Sequence, residues 1–162
     1  GVTKMSANRC FDEIEYLNVD ILGMKGKSRV ITVPADIQKL WNDVRVILRN
    51  PVIARYELKE DIQLGKKAGI TALCEYSLLS DNEYPTYAIT KKEITESGIR
   101  KMKQVHSGEE IGCVVLALGY FIDFKNKKLE DPLSVTLSLT ESEKQDERIG
   151  ISIKRMLEEY VW

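Results

Sequence analysis

The chain has 162 residues, 43% of them hydrophobic and 30% charged, with a net charge of −1. That is apolar material for one ordinary domain, or a small domain plus a fragment, and no apolar run approaches the ~20 residues of a bilayer-spanning helix. A balance this close to neutral excludes any argument for nucleic-acid binding from bulk charge, which leaves local clustering as its only basis. Cys10, Cys74 and Cys113 are odd in number and contain no Cys-x-x-Cys pair, which argues against a disulfide framework and against zinc. Each lies in an apolar pattern and is expected to be a buried thiol in a reducing, cytoplasmic setting. The opening residues lack the charged stretch and apolar block of a signal peptide. They begin with Gly1 rather than Met, so the reading expects further residues upstream.

Residues 3 to 17 read as a helix, with Thr3 as its cap and Ala7, Cys10, Phe11, Ile14 and Leu17 at helical spacing. A hairpin is expected next, pairing Val19–Leu22 with Val30–Val33 around a tip bracketed by Gly23 and Gly26. Pro34 opens a second helix, on which Ile37, Leu40, Trp41, Val44, Ile47 and Leu48 form an apolar stripe, and Asn50-Pro51 ends it. Beyond it the pattern alternates. Val52 to Leu58 reads as a strand and Lys67 to Leu79 as a helix. Asp81-Asn82 with Pro85 reads as a turn, and Tyr87 to Ile89 as a short strand. Thr90 caps a helical turn over Lys91 to Ile94, and Met102 to Val105 reads as a further strand. Ile111 to Phe121, the most apolar segment, reads as a bent strand. Asp131-Pro132 starts a short helix to Leu139. Thr140 and Glu143 form a capping-box pattern for a last helix that runs to about Tyr160, with Ile149, Ile153, Met156 and Leu157 inward.

No catalytic constellation emerges. His106 is the only histidine and lies in a polar stretch, Gln104 to Glu110, that reads as a solvated loop rather than part of a triad. The adjacent carboxylates Glu109-Glu110, Glu130-Asp131, Asp146-Glu147 and Glu158-Glu159 do not aim at one point and read as solvated faces or caps. Lys66-Lys67-Ala68-Gly69 before a helix could draw an anion to the helix N-terminus. A tight glycine turn that packs the helix on the sheet is the plainer reading. No cofactor, metal or enzymatic activity is expected.

The sharper pattern is placement within residues 1 to 33. Lys4, Ser6, Asn8 and Arg9 occupy the early part of the first helix, and Asp12, Glu13 and Glu15 are held to its later part. Lys25, Lys27 and Arg29 sit on or beside the hairpin tip. A helix in the major groove with a basic hairpin on the backbone or minor groove is how a winged helix meets duplex DNA. This segment carries five basic and four acidic groups, against 19 and 21 in the remainder, so the case rests on position. An ordinary αββ packing unit accounts for the same local features equally well.

Ser6-Ala7-Asn8-Arg9-Cys10-Phe11-Asp12-Glu13-Ile14-Glu15-Tyr16-Leu17 resembles the end of a MarR-like winged helix. The later chain resembles the domain that follows such winged helices in bacterial regulators related to AbiEi-type antitoxins. Its carriers are Trp41 with Leu48-Arg49-Asn50-Pro51-Val52, Ala68-Gly69-Ile70-Thr71-Ala72-Leu73, Tyr84-Pro85-Thr86-Tyr87-Ala88-Ile89, Asp131-Pro132-Leu133-Ser134, Asp146-Glu147-Arg148-Ile149 and Trp162. Two departures are plain: the first helices of the winged domain are missing, and a tryptophan expected near the central strand is replaced around Leu116 to Phe121.

The resemblance implies an α+β protein in three parts. Residues 1–33 would be the C-terminal part of a winged-helix DNA-binding domain, 34–50 a connector helix, and 51–162 a mixed α/β domain that senses an effector or binds a partner. The implied function is a DNA-binding transcriptional repressor acting on double-stranded DNA in the full-length protein, with Lys4, Ser6, Asn8, Arg9, Lys25, Lys27 and Arg29 as contacts. The alternative is an antitoxin-like module that neutralises a protein partner such as a toxin. The stripe from Ile37 to Leu48 would serve a homodimer as readily as a core.

Overall fold

The structure, a computed structural model, describes residues 3–80 and 83–162; Asp81 and Asn82 of the expected turn lie outside them. The described residues form seven α-helices and two β-sheets, a mixed α+β protein. None of these helices is long and apolar enough to cross a membrane. The chain divides into two compact units, the first ending at Arg49 and the second running from Asn50 to Val161.

In the first unit, helix α1 (Lys4–Tyr16) begins where the Thr3 hydroxyl accepts the Ser6 amide at 3.2 Å. Ile14 is its one buried residue, and Ala7, Phe11 and Leu17 are half-buried. So narrow a contact leaves Cys10 at its margin and exposed, and Cys74 is only half-buried; of the three expected buried thiols only Cys113 is one. Strands β1 (Leu22–Lys25) and β2 (Ser28–Ile31) pair antiparallel from Leu22↔Ile31 to Lys25↔Ser28. The hairpin is thus tighter than expected. Its turn is Gly26-Lys27 alone, and Met24 and Lys25 are strand residues. Glycine at the first turn position, with φ +63°, permits the two-residue loop.

Helix α2 (Ile37–Val44) is capped by Asp36, whose carboxylate accepts the Lys39 amide at 2.8 Å. It stops short of the expected end near Asn50. Past Val44 the chain tightens into i→i+3 bonds, Ile47 to Val44 at 3.0 Å and Leu48 to Arg45 at 3.3 Å. Trp41 is buried, but Ile37 and Leu48 at the ends of the stripe are exposed.

The second unit is built on a four-stranded sheet of β3 (Val52–Leu58), β4 (Lys66–Lys67), β5 (Thr86–Thr90) and β6 (Cys113–Leu118), in the order β3-β6-β5-β4. β6 runs antiparallel to β3 and parallel to β5. It reads as an unbroken apolar run because it is central and covered on both faces, so all six of its residues are buried. On one face Cys113, Val115 and Ala117 pack with Leu58, Tyr87, Ile89, Ile94 and Ile99. On the other, Val114, Leu116 and Leu118 pack with Ala68 and Ala88. Each large aliphatic side chain so buried stabilises the fold by about 1.5–3 kcal/mol. The expected strand over Met102–Val105 reduces to a single bridge, Leu58↔Gln104, at the end of β3.

Helix α3 (Gly69–Tyr76) is shorter than the expected Lys67–Leu79 at both ends: Lys67 belongs to the sheet, and Ser77 turns extended after Tyr76. Thr90 and Glu93 form a reciprocal capping box for α4 (Lys91–Glu96), which packs against β5 and β6. Asp131 caps α5 (Pro132–Ser138) by accepting the Ser134 amide at 2.9 Å, with proline at the first position. The long helix expected from Thr140 is two. The Thr140–Glu143 capping box starts α6 (Glu141–Gln145). Asp146 then adopts an extended conformation and its side chain accepts the Arg148 amide at 2.8 Å, beginning α7 (Glu147–Tyr160). A short polar side chain that can bond a nearby amide favours a cap over a helix interior. α3, α5 and α7 pack on one another.

Gly65 precedes β4 with φ +72°, and a Cβ there would meet the Ala88 carbonyl oxygen at 2.1 Å. Gly65→Ala is therefore expected to destabilise the protein by about 3 kcal/mol or more, from combined backbone strain and overpacking. Chemical denaturation of both proteins checks this.

Candidate nucleic-acid interface

Thr3 fixes the start of α1, so the first two turns are held in register and Lys4, Ser6, Asn8 and Arg9 are all exposed there. Ser6 is partly engaged, its hydroxyl 2.9 Å from that of Thr3. Arg9 reaches Glu13 only at 3.9 Å, an exposed contact of the kind that adds little. Across from the helix, Lys25, Lys27 and Arg29 are exposed on and beside the hairpin turn. An open groove of about 640 Å³ runs between the two elements, and Lys4, Asn8, Lys27 and Arg29 line it together. Ser6, Arg9 and Lys25 lie outside that groove.

Arg29 differs from the other six. Its Nη1 donates to Asp12 Oδ1 at 2.6 Å, and its guanidinium lies 5.9 Å from the centre of the Phe11 ring. Both partners are on α1, so Arg29 ties the hairpin to the helix. Asp12, in the acidic later part of α1, is thus half of the strut between helix and hairpin. Spacing alone carries no sign of this pair, because its members are 17 residues apart.

Other expected site features resolve differently. The Lys66–Gly69 segment holds no open anion site. Lys67 Nζ is paired with Glu75, and Lys66 Nζ lies 5.1 Å from the Phe121 ring centre. The amide of Gly69 at the start of α3 already donates to Glu130 Oε2 at 3.1 Å. His106 is exposed, and its backbone amide donates to Glu109 Oε2 at 2.8 Å. Glu109 also accepts from Lys59 Nζ at 2.6 Å, and these bonds hold its carboxyl at about 2. Burial pushes the Cys113 thiol up, away from thiolate chemistry. Among the described residues no three His, Cys, Asp or Glu side chains converge on a metal position.

Glu130, expected to be solvated or a cap, is buried, with 1% of its surface exposed. Its Oε2 accepts from Gly69 and, at 3.4 Å, from the Ser138 hydroxyl, and its carbonyl accepts the Tyr76 hydroxyl at 2.9 Å. Its amide donates to the Lys67 carbonyl at 2.8 Å. Oε1 has no partner among the described residues. Burial pushes this carboxyl up to about 7, opposed by the Gly69 amide, reinforced by Asp131 and opposed again by Ser138 and Lys66.

Comparison of the chain with protein-family models, with curated proteins and with solved structures finds no match. Nothing outside the chain therefore assigns a role to the groove.

Two outcomes are expected. Arg29→Ala speeds amide hydrogen exchange across Leu22–Ile31, and Lys27→Ala leaves it unchanged; equal exchange in all three proteins would remove Arg29 as a strut. For Glu130, a folded value above the unfolded one means that its contribution is complete below about pH 4.5 and is lost as pH rises through about 7. Over that window the folded state holds the extra proton, and the loss is about 3 kcal/mol. Glu130→Gln should flatten that part of the stability–pH curve, as urea titrations at several pH values will read.

Proposed function

We propose that the protein is a DNA-binding regulator whose first unit meets the duplex with α1 and the β1–β2 hairpin, in the manner of a winged helix. Support comes chiefly from one observation: Lys4 and Asn8 from α1 and Lys27 and Arg29 from the hairpin line a single open groove. On this reading Lys4, Ser6, Asn8 and Arg9 face base edges and nearby phosphates, and Lys25 and Lys27 hold the backbone. Arg29 keeps the two elements at their working spacing through Asp12. The second unit is the effector- or partner-binding part of the regulator.

A protein-binding reading, close to that of an antitoxin, is favoured by different residues. Met24, Ile31 and Val33 leave substantial apolar surface exposed on and after the hairpin. A protein partner would cover them, whereas phosphate would not.

Fluorescence anisotropy against a mixed-sequence duplex, read at several salt concentrations, separates the two. Wild type should bind with affinity that falls linearly in log salt. Lys27→Ala and Lys4→Ala should each lower the slope by about one unit per lost phosphate contact. Lys91→Ala with Lys92→Ala, in the second unit, should leave it unchanged. Absence of duplex binding at low salt, or equal slopes in all variants, would contradict the DNA reading.

A further inference from the structure

In the second unit, α3 and α7 end beside each other, and both end in the same dipeptide, Glu75-Tyr76 and Glu159-Tyr160. The two tyrosine rings meet edge to face, with centroids 5.0 Å apart and planes at 60°. Together with Phe124 they wall a pocket of about 230 Å³, and Glu75 and Glu159 contribute its carboxylates.

Two features besides its glutamates favour a cation in this pocket. The C-terminal end of a helix carries partial negative charge on its unpaired carbonyls, and two such ends converge here. Neither helix has a basic residue in its last turn to offset that charge. Three of the lining residues, Tyr76, Phe124 and Tyr160, are aromatic, and an aromatic π-face attracts cations and repels anions. Against this stand Lys67, whose ammonium pairs with Glu75, Lys125 on the pocket wall, and Arg155, which lines the adjoining cavity with Glu75 and Glu159. Glu159 lies beside the Tyr160 hydroxyl, so an incoming ammonium group would share Glu159 with that hydroxyl. The Tyr76 hydroxyl is already committed to the Glu130 carbonyl, so its ring is held in place before any ligand arrives.

From this convergence of two helix ends, three aromatic rings and two glutamates, we infer that the pocket binds a small alkylammonium group. The volume suits a head of a few carbon atoms around one charged nitrogen, supplied by a free amine or by a lysine side chain. The inference rests on the reading of the second unit as the sensing part of the regulator. Its test contains no DNA, so failure here leaves the duplex reading standing, and failure of duplex binding leaves this site standing.

The experiment titrates choline, tetramethylammonium and putrescine into the full chain and follows the aromatic proton resonances by NMR. A second arm uses 3,3-dimethylbutanol, the neutral isostere of choline, and a third a short capped peptide with a single lysine. At least one ammonium probe should saturate the Tyr76 and Tyr160 shifts, and the neutral isostere should bind about tenfold more weakly or not at all. Saturation by the peptide but not by the free amines would assign the ammonium to a partner's side chain. Tyr160→Leu should abolish binding, Tyr160→Phe should retain it, and Glu159→Gln should weaken it severalfold. No saturable shift with any ammonium probe, equal binding of the neutral isostere, or unchanged binding by Tyr160→Leu overturns the proposal.

Discussion

The second unit depends on one buried carboxylate. Glu130 joins the stretch Lys67–Tyr76 to α5: its carboxylate accepts from Gly69 at the start of α3 and from Ser138, and its main chain bonds the Tyr76 hydroxyl at the end of α3 and the Lys67 carbonyl in β4. A short helix such as α3 has unpaired amides at its N-terminus that must find acceptors once buried. Here the acceptor comes from 61 residues away in place of a local cap, since Ala68 offers no side-chain oxygen. Burying a carboxylate is costly unless it is bonded or protonated. Glu130 does some of both, with two donors on one oxygen and a carboxyl raised to about 7.

The first unit relies on an exposed counterpart. It has few buried residues, Ile14, Ile21 and Trp41 among them, so packing alone gives the hairpin little to rest on. The Arg29–Asp12 bond, with Phe11 beneath the guanidinium, gives the hairpin a second attachment to α1. The same contact pairs the one acid that lines the groove, Asp12, and leaves Lys4, Asn8 and Lys27 beside it on the groove wall. An acidic residue on the helix thus helps present the basic ones. This is why bulk charge, almost neutral across the chain, says little about what this surface can do.

Features that are local in sequence were legible in it. Thr90 before Lys91, Thr140 with Glu143 and Asp131 before Pro132 each cap a helix as their spacing implies, because a cap involves only neighbouring residues. The apolar run within Ile111 to Phe121 was legible as a strand, observed over Cys113–Leu118, and burial on both faces is what leaves it no polar position. Features set by tertiary contact were not legible. Glu130 beside Asp131 looks like any surface pair until α3 is laid against it. The break at Asp146 was hidden because its side chain could serve a helix interior or a cap, and only the backbone path decides. The hairpin tip shifted because two glycines offered two turns, and strand pairing selected Gly26. Which of the basic residues share a groove, and that Arg29 is tied to Asp12, were set by the fold and could not be read from spacing.

The central claim is that α1 and the hairpin form one duplex-facing surface. Amide and side-chain NMR shifts recorded as a mixed-sequence duplex is added to the full chain test it most directly. The account predicts perturbations concentrated at Lys4, Asn8, Arg9, Gly26 and Lys27, with the second unit quiet. Shifts confined to the second unit, or none at duplex concentrations that saturate a known DNA-binding control, would contradict it.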